Sequence, residues 1–203
     1  MSSTPTKSPS KAVQSPLYSP LILQQSPAAL AGQRNLTGLP RVTRDVIADF
    51  YNNIQKWNET HVNGALLVKQ IALIKSDSKE EFPKGLDKLM DDLGETYRRL
   101  EVYAQSLNFL SNQLASMGKL QHQEEPLFFS LTCRQISEIV SEIAKAYNSE
   151  LYRKEYVLSN IAYSKNRYEA LFHAACWVHQ QYVSNDIRMK LEALLVETGH
   201  KKM

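Results

Sequence analysis

Between Leu86 and Met117 apolar side chains recur in steps of three and four: Leu86, Leu89, Leu93, Leu100, Tyr103, Leu107, Leu110, Leu114 and Met117, with Thr96 the one polar seam position. That period is the signature of a coiled-coil seam. No Pro interrupts it, so a single helix of roughly 32 residues would reach about 48 Å at 1.5 Å per residue, longer than a small globular core needs. A seam of that length must lie against something equally long, whether this chain, a second copy or another protein. Its length favours a cover that includes a partner, which makes Leu93, Leu100 and Leu107 candidate interface residues.

The remaining segments supply further helices. At 203 residues with 43% hydrophobic content, the chain can bury one core and still carry a tail. Residues 1–42 hold Pro5, Pro9, Pro16, Pro20, Pro27 and Pro40, six of the eight prolines, and the first five follow Ser or Thr. Such a density of missing donors and so little apolar surface predict a disordered tail over 1–42, with the folded domain running from 43 to 203. Thr43 is the expected N-cap of a first long helix, with Asp45 in its first turn and Val46, Phe50, Ile54, Trp57, His61, Ala65, Val68 and Ala72 on one face. Pro83 suits the first position of the seam helix, and Gly118 its end. Thr132 and Gln135 form a capping box ahead of Ile136, Val140, Ile143, Tyr147, Leu151, Leu158 and Ile161, a stripe that Lys154 interrupts. Leu127, Phe128 and Phe129 in the preceding loop are expected to dock on the bundle. After a break at 164–166, a short helix with Tyr168, Leu171, Phe172, Ala175 and Trp177 inward precedes a last one capped by Ser184, with Ile187, Leu191, Leu194 and Leu195 inward and Gly199 as its stop. The expected fold is all-α: three long antiparallel helices in a coiled-coil-like bundle, with the two short helices as a C-terminal hairpin at one end.

Charge and motifs argue against several function classes. The formal net charge of +3 divides unevenly. Lys7, Lys11, Arg34, Arg41 and Arg44 stand in residues 1–44 without an acidic residue, leaving 19 basic against 21 acidic residues in the body. A mildly acidic helical body does not suit specific nucleic-acid binding. The polar N-terminus and the absence of an 18-residue apolar run point to an intracellular, soluble protein with no membrane role. No phosphate-cradling glycine loop, nucleophile elbow or metalloprotease motif occurs, so no catalytic residue, cofactor or metal is expected. His173-x-x-Cys176-x-x-His179 comes nearest to a metal pattern, but on a helix its histidines diverge by about 120°. Cys133 and Cys176 lack disulfide or zinc spacing. In the tail, Thr4-Pro5-Thr6-Lys7 and Ser8-Pro9-Ser10-Lys11 match the pattern favoured by Pro-directed cyclin-dependent kinases, making Thr4 and Ser8 candidate phosphorylation sites.

Three segments carry a resemblance to a known family. They are Asp49-Phe50-Tyr51-Asn52-Asn53-Ile54-Gln55-Lys56-Trp57, then Tyr152-Arg153-Lys154-Glu155, then Trp177-Val178-His179-Gln180-Gln181-Tyr182-Val183 continuing to Leu195-Val196-Glu197-Thr198-Gly199-His200. In order and spacing they resemble the cyclin-dependent kinase 2-interacting protein family over about residues 45–203. The resemblance implies a non-enzymatic adaptor, nuclear with the cytoplasm as a second compartment, whose partners are cyclin-dependent kinase 2 and its cyclin, the replication-initiation kinase and the ATR-interacting protein of checkpoint signalling. It also implies a subunit of an AAA+ ATPase assembly serving ribosome maturation and replisome protein turnover. Within that frame Arg153, Lys154, Tyr182, Asp186, Arg188 and Glu197 become partner-interface candidates, and Trp57 is either a surface anchor or core. The competing reading is a self-contained homodimeric coiled-coil scaffold.

Overall fold

The structure, a computed structural model, describes residues 36–78, 80–120 and 125–202. Thr4, Ser8 and nearly all of the expected tail lie outside the described residues. The elements are α1 (Leu39–Asp77), α2 (Leu86–Leu120), α3 (Cys133–Asn160), a 3-10 turn (Ile161–Tyr163), α4 (Arg167–Val178) and α5 (Asn185–Glu197). No strand occurs among the described residues, so the all-α expectation holds.

Each long helix follows from its apolar period. The seam of α2 is enclosed: Leu93, Leu100, Leu107 and Leu114 have no exposed surface, and α2 packs between α1 and α3 of the same chain. The expected partner cover is therefore corrected, because a chain with three comparable apolar stripes and short connections covers its own seam. Leu93, Leu100 and Leu107 are core residues, not surface ones. Asn108 and Asn148 exchange side-chain hydrogen bonds of 2.9 and 2.7 Å between α2 and α3 and fix their register.

Several boundaries differ from expectation. α1 begins at Leu39, with Gly38 as N-cap (φ 65°) and Pro40 in its first turn; Thr43 lies buried inside the helix and Asp45 falls beyond the first turn. Pro is compatible with a helix start because its missing N–H would have no partner there anyway. Pro83 stands in the turn ahead of α2, where its carbonyl accepts the Leu86 N–H, and Gly85 supplies a left-handed φ of 89°. α2 runs through Gly118 to Leu120. The Thr132–Gln135 capping box forms as expected. Leu127 and Phe128 dock on the core, whereas Phe129 is exposed.

The largest correction concerns the C-terminus. α4 and α5 do not form a hairpin at one end; they follow one another along α1 and α3 as a broken fourth helix. Trp177 lies at His61 and Gly64, Gln180 at Trp57 and His200 at Arg44, so the chain advances through α4 and α5 while α1 recedes. The result is an up-down-up-down bundle with one interrupted member. The inward face of α4 is also corrected. Ala170, His173, Ala174 and Trp177 are buried, while Tyr168, Leu171, Phe172 and Ala175 face outward. Two overlapping apolar stripes run along this helix, and periodicity cannot say which one meets the core.

Candidate partner-binding surface

The interruption between α4 and α5 is where the three family-like segments meet. Lys154 and Glu150, one turn apart on α3, have fully buried side chains 3.0 Å apart. The Lys154 ammonium also donates to the Trp177 carbonyl, one of the unsatisfied acceptors at the end of α4. The other Glu150 oxygen accepts the Tyr182 N–H at 3.2 Å. One ion pair thus holds both sides of the break, and each charge meets a backbone dipole as well as its partner. Trp57 Nε1 donates to Gln180 Oε1 at 3.0 Å, and its ring meets Tyr147 edge to face. Trp177 Nε1 donates to the His61 carbonyl at 3.2 Å. Gly64 makes the seat for Trp177, because a Cβ there would stand 2.3 Å from the indole ring.

Electrostatics follow from this enclosure. Burial pushes the Lys154 ammonium from 10.5 down to about 8, with Glu150 pulling the other way. Burial, followed by the nearby Lys154 charge, lowers His61 to about 3, so its imidazole is neutral at pH 7. Neutral His61 spares the site a second buried cation beside Lys154.

The candidate residues separate into internal and external groups. Lys154 is wholly internal. Glu197 is buried too: its carboxylate accepts the N–H groups of Phe129, Ser130 and Leu131 at 3.0, 2.7 and 2.8 Å and the Ser130 hydroxyl at 2.9 Å. Burial raises its pKa, and those hydrogen bonds together outweigh burial and hold it below the ordinary value. Both are corrected from interface to internal tie. Trp57 is core, with no exposed surface. Arg153 donates to Gln181 at 2.6 Å and lies 5.1 Å from the Tyr182 ring centroid, so it braces the junction from outside. Asp186 pairs with Lys190, which also meets Glu142, and Arg188 is exposed on α5. His173 shares a hydrogen bond with Ser164, whereas His179 is an exposed C-cap; they are not brought together. Among the described residues no cluster of three metal-ligating side chains forms.

Sequence reasoning missed Glu150, Gly64, Gln180 and the outward face of α4. The four-residue spacing of Glu150 and Lys154 was an available signal. The other three become visible only when α4 is laid on α1. On its outward face Tyr168 is 83% exposed, Phe172 57% and Leu171 45%; Val62, Leu66 and Leu73 are exposed on α1, the helix against which α4 packs.

These features define an all-helical bundle with exposed apolar side chains and an internal ion pair. No family model matches the chain. It is similar to the cyclin-dependent kinase 2-interacting proteins of Homo sapiens (26% identical over 192 residues, 80% of this chain and 91% of that one) and Mus musculus (24%, with the same coverage). The Xenopus laevis protein of that name is 22% identical over 191 residues, 82% of this chain and 92% of its own length. These comparisons support the resemblance to the cyclin-dependent kinase 2-interacting protein family over about 80% of the chain, and the relatives are named for an interaction, not a reaction.

Proposed function

We propose that this protein is a non-enzymatic adaptor that binds cyclin-dependent kinase 2 with its cyclin. The observation that carries this reading is the likeness to kinase-interacting relatives over some 80% of the chain, together with the meeting at one structural junction of the three segments whose sequence resembles that family. Its finer content is that the adaptor works in the nucleus and cytoplasm, joins kinase signalling to the ATR-interacting protein, and serves as a subunit of an AAA+ ATPase assembly in ribosome maturation and replisome protein turnover. In this reading Thr4 and Ser8 are substrates of the bound kinase. Neither the buried pair nor the exposed apolar face has the form of a catalytic pocket, which suits a role in recruitment. The homodimeric-scaffold alternative loses its motive, since the seam that called for a second copy is covered within the chain.

The test uses purified full-length chain and purified cyclin-dependent kinase 2 with cyclin. Saturable binding in biolayer interferometry is expected, together with phosphate incorporation at Thr4 or Ser8 that leaves the circular dichroism spectrum unchanged. No binding at kinase concentrations of tens of micromolar, a range corresponding to about −6 kcal/mol, would overturn the kinase-adaptor reading. Affinity purification with mass spectrometry from cells then tests the ATPase and checkpoint partners.

A further inference from the structure

We propose that the outward face of α4 seats an amphipathic helix of a partner protein, apolar on one side and acidic along its flanks. This rests on the adaptor reading and names the surface that an adaptor would use.

α4 is apolar nearly all round. Its inner side is buried on α1 and α3, and its outer side repeats the pattern at Tyr168, Leu171, Phe172 and Ala175, the spacing of i, i+3, i+4 and i+7. A helix apolar on every side belongs inside a protein, yet this one has solvent on half its circumference. The same spacing is the register in which a second helix packs, and the twelve residues of α4 give it three turns to read.

Charge selects the occupant. Lys165 and Arg167 are exposed at the start of α4, and Lys69 is exposed on α1 five residues beyond the Trp177 seat at Gly64. The carboxylate nearest the start of α4, Glu169, is engaged locally by the Lys165 N–H at 2.7 Å and the Asn166 amide at 3.3 Å. Those neutral donors leave its charge in place, so Lys165, Arg167 and Lys69 stand against Glu169 and Glu59, and the rim keeps a net positive charge of one. A second copy would bring the same basic rim, and residues 1–35 of this chain carry Lys7, Lys11 and Arg34 without an acidic residue. Both are electrostatically mismatched; a helix flanked by Glu or Asp is matched.

The experiment uses full-length protein and a synthetic helical peptide of roughly 18 residues, with Leu at i, i+3, i+4 and i+7 and Glu on the flanks, and a control with Lys in place of Glu. Fluorescence anisotropy should show the Glu peptide binding at least about tenfold more tightly than the Lys peptide, with the gap narrowing as salt rises. Leu171→Glu and Phe172→Glu should each weaken the Glu peptide by about tenfold or more, with circular dichroism and Tm unchanged. A benzoylphenylalanine photocrosslinker at Phe172 should capture that peptide. Equal binding of the two peptides, indifference to Phe172→Glu, or capture of residues 1–35 or of a second copy in place of the peptide would each overturn the proposal. Kinase binding is measured on the same samples: kinase without peptide sinks this inference alone, and peptide without kinase sinks only the kinase assignment.

Discussion

Lys154 sits in the middle of an apolar stripe and has no exposed surface, which its charge permits only because Glu150 and the Trp177 carbonyl both face it. Removing one partner of such a pair leaves the other charged and unpaired. Glu150→Ala is therefore expected to cost about 3–5 kcal/mol in urea unfolding. Replacing both, as Glu150→Leu with Lys154→Met, should recover most of that loss, while the Tyr182 amide exchanges faster because its acceptor is gone. Titration gives a second measurement. The folded protein releases the Lys154 proton near 8, whereas the unfolded chain holds it to 10.5, so across that window the unfolded state binds more protons and stability rises with pH. The stability difference between wild type and Lys154→Met should accordingly shift in favour of wild type from pH 7.5 to 9.5. His61 works in the acid range: with a folded value near 3 and an ordinary value of 6.5, its contribution is lost as pH falls through that interval. A stability profile as steep below pH 6 in His61→Gln as in wild type would contradict this.

At the scale of elements, glycine positions show how packing overrides propensity. Ala is a better helix former than Gly by up to about 1 kcal/mol. At Gly64, however, a Cβ would overlap Trp177, and overpacking of that kind costs about 1–3 kcal/mol. Gly64→Ala should thus destabilise and alter tryptophan fluorescence as α4 lifts. Gly94→Ala meets nothing within 4 Å and should stabilise by about 0.5–1 kcal/mol. The thermal melts of the two variants should move in opposite directions. Glu197 ties the end of α5 to the loop before α3 through four hydrogen bonds, and Glu197→Ala leaves three backbone donors without that acceptor. A loss of at least about 2 kcal/mol is expected, with the damage localised by hydrogen exchange to residues 129–131. The capping box at Thr132, the break at 164–166 and the Ser184 cap of α5 were legible because turn and cap chemistry is local. The orientation of α4 was not, because both of its sides are apolar and only α1, α3 and the indole seat decide between them.

For the whole molecule, a seam covered internally predicts a Tm independent of protein concentration, since an obligate oligomer would melt higher as concentration rises. Leu100→Asp and Leu107→Asp, each placing a charge where no surface is exposed, should abolish cooperative unfolding at every concentration. A concentration-dependent Tm in wild type would return the seam to the intermolecular reading. The sequence by itself determined that the chain is helical, that three helices are long, where most of their apolar stripes lie and which family it resembles, because helical period, capping and short motifs are written in residues close along the chain. Only the tertiary structure decided that the seam is covered from within, that α4 and α5 form one broken helix and that Lys154 and Glu197 are internal ties. It also decided which side of α4 remains open. Those outcomes depend on pairings such as Trp57 with Gln180 and His200 with Arg44, more than a hundred residues apart, which no local pattern can specify.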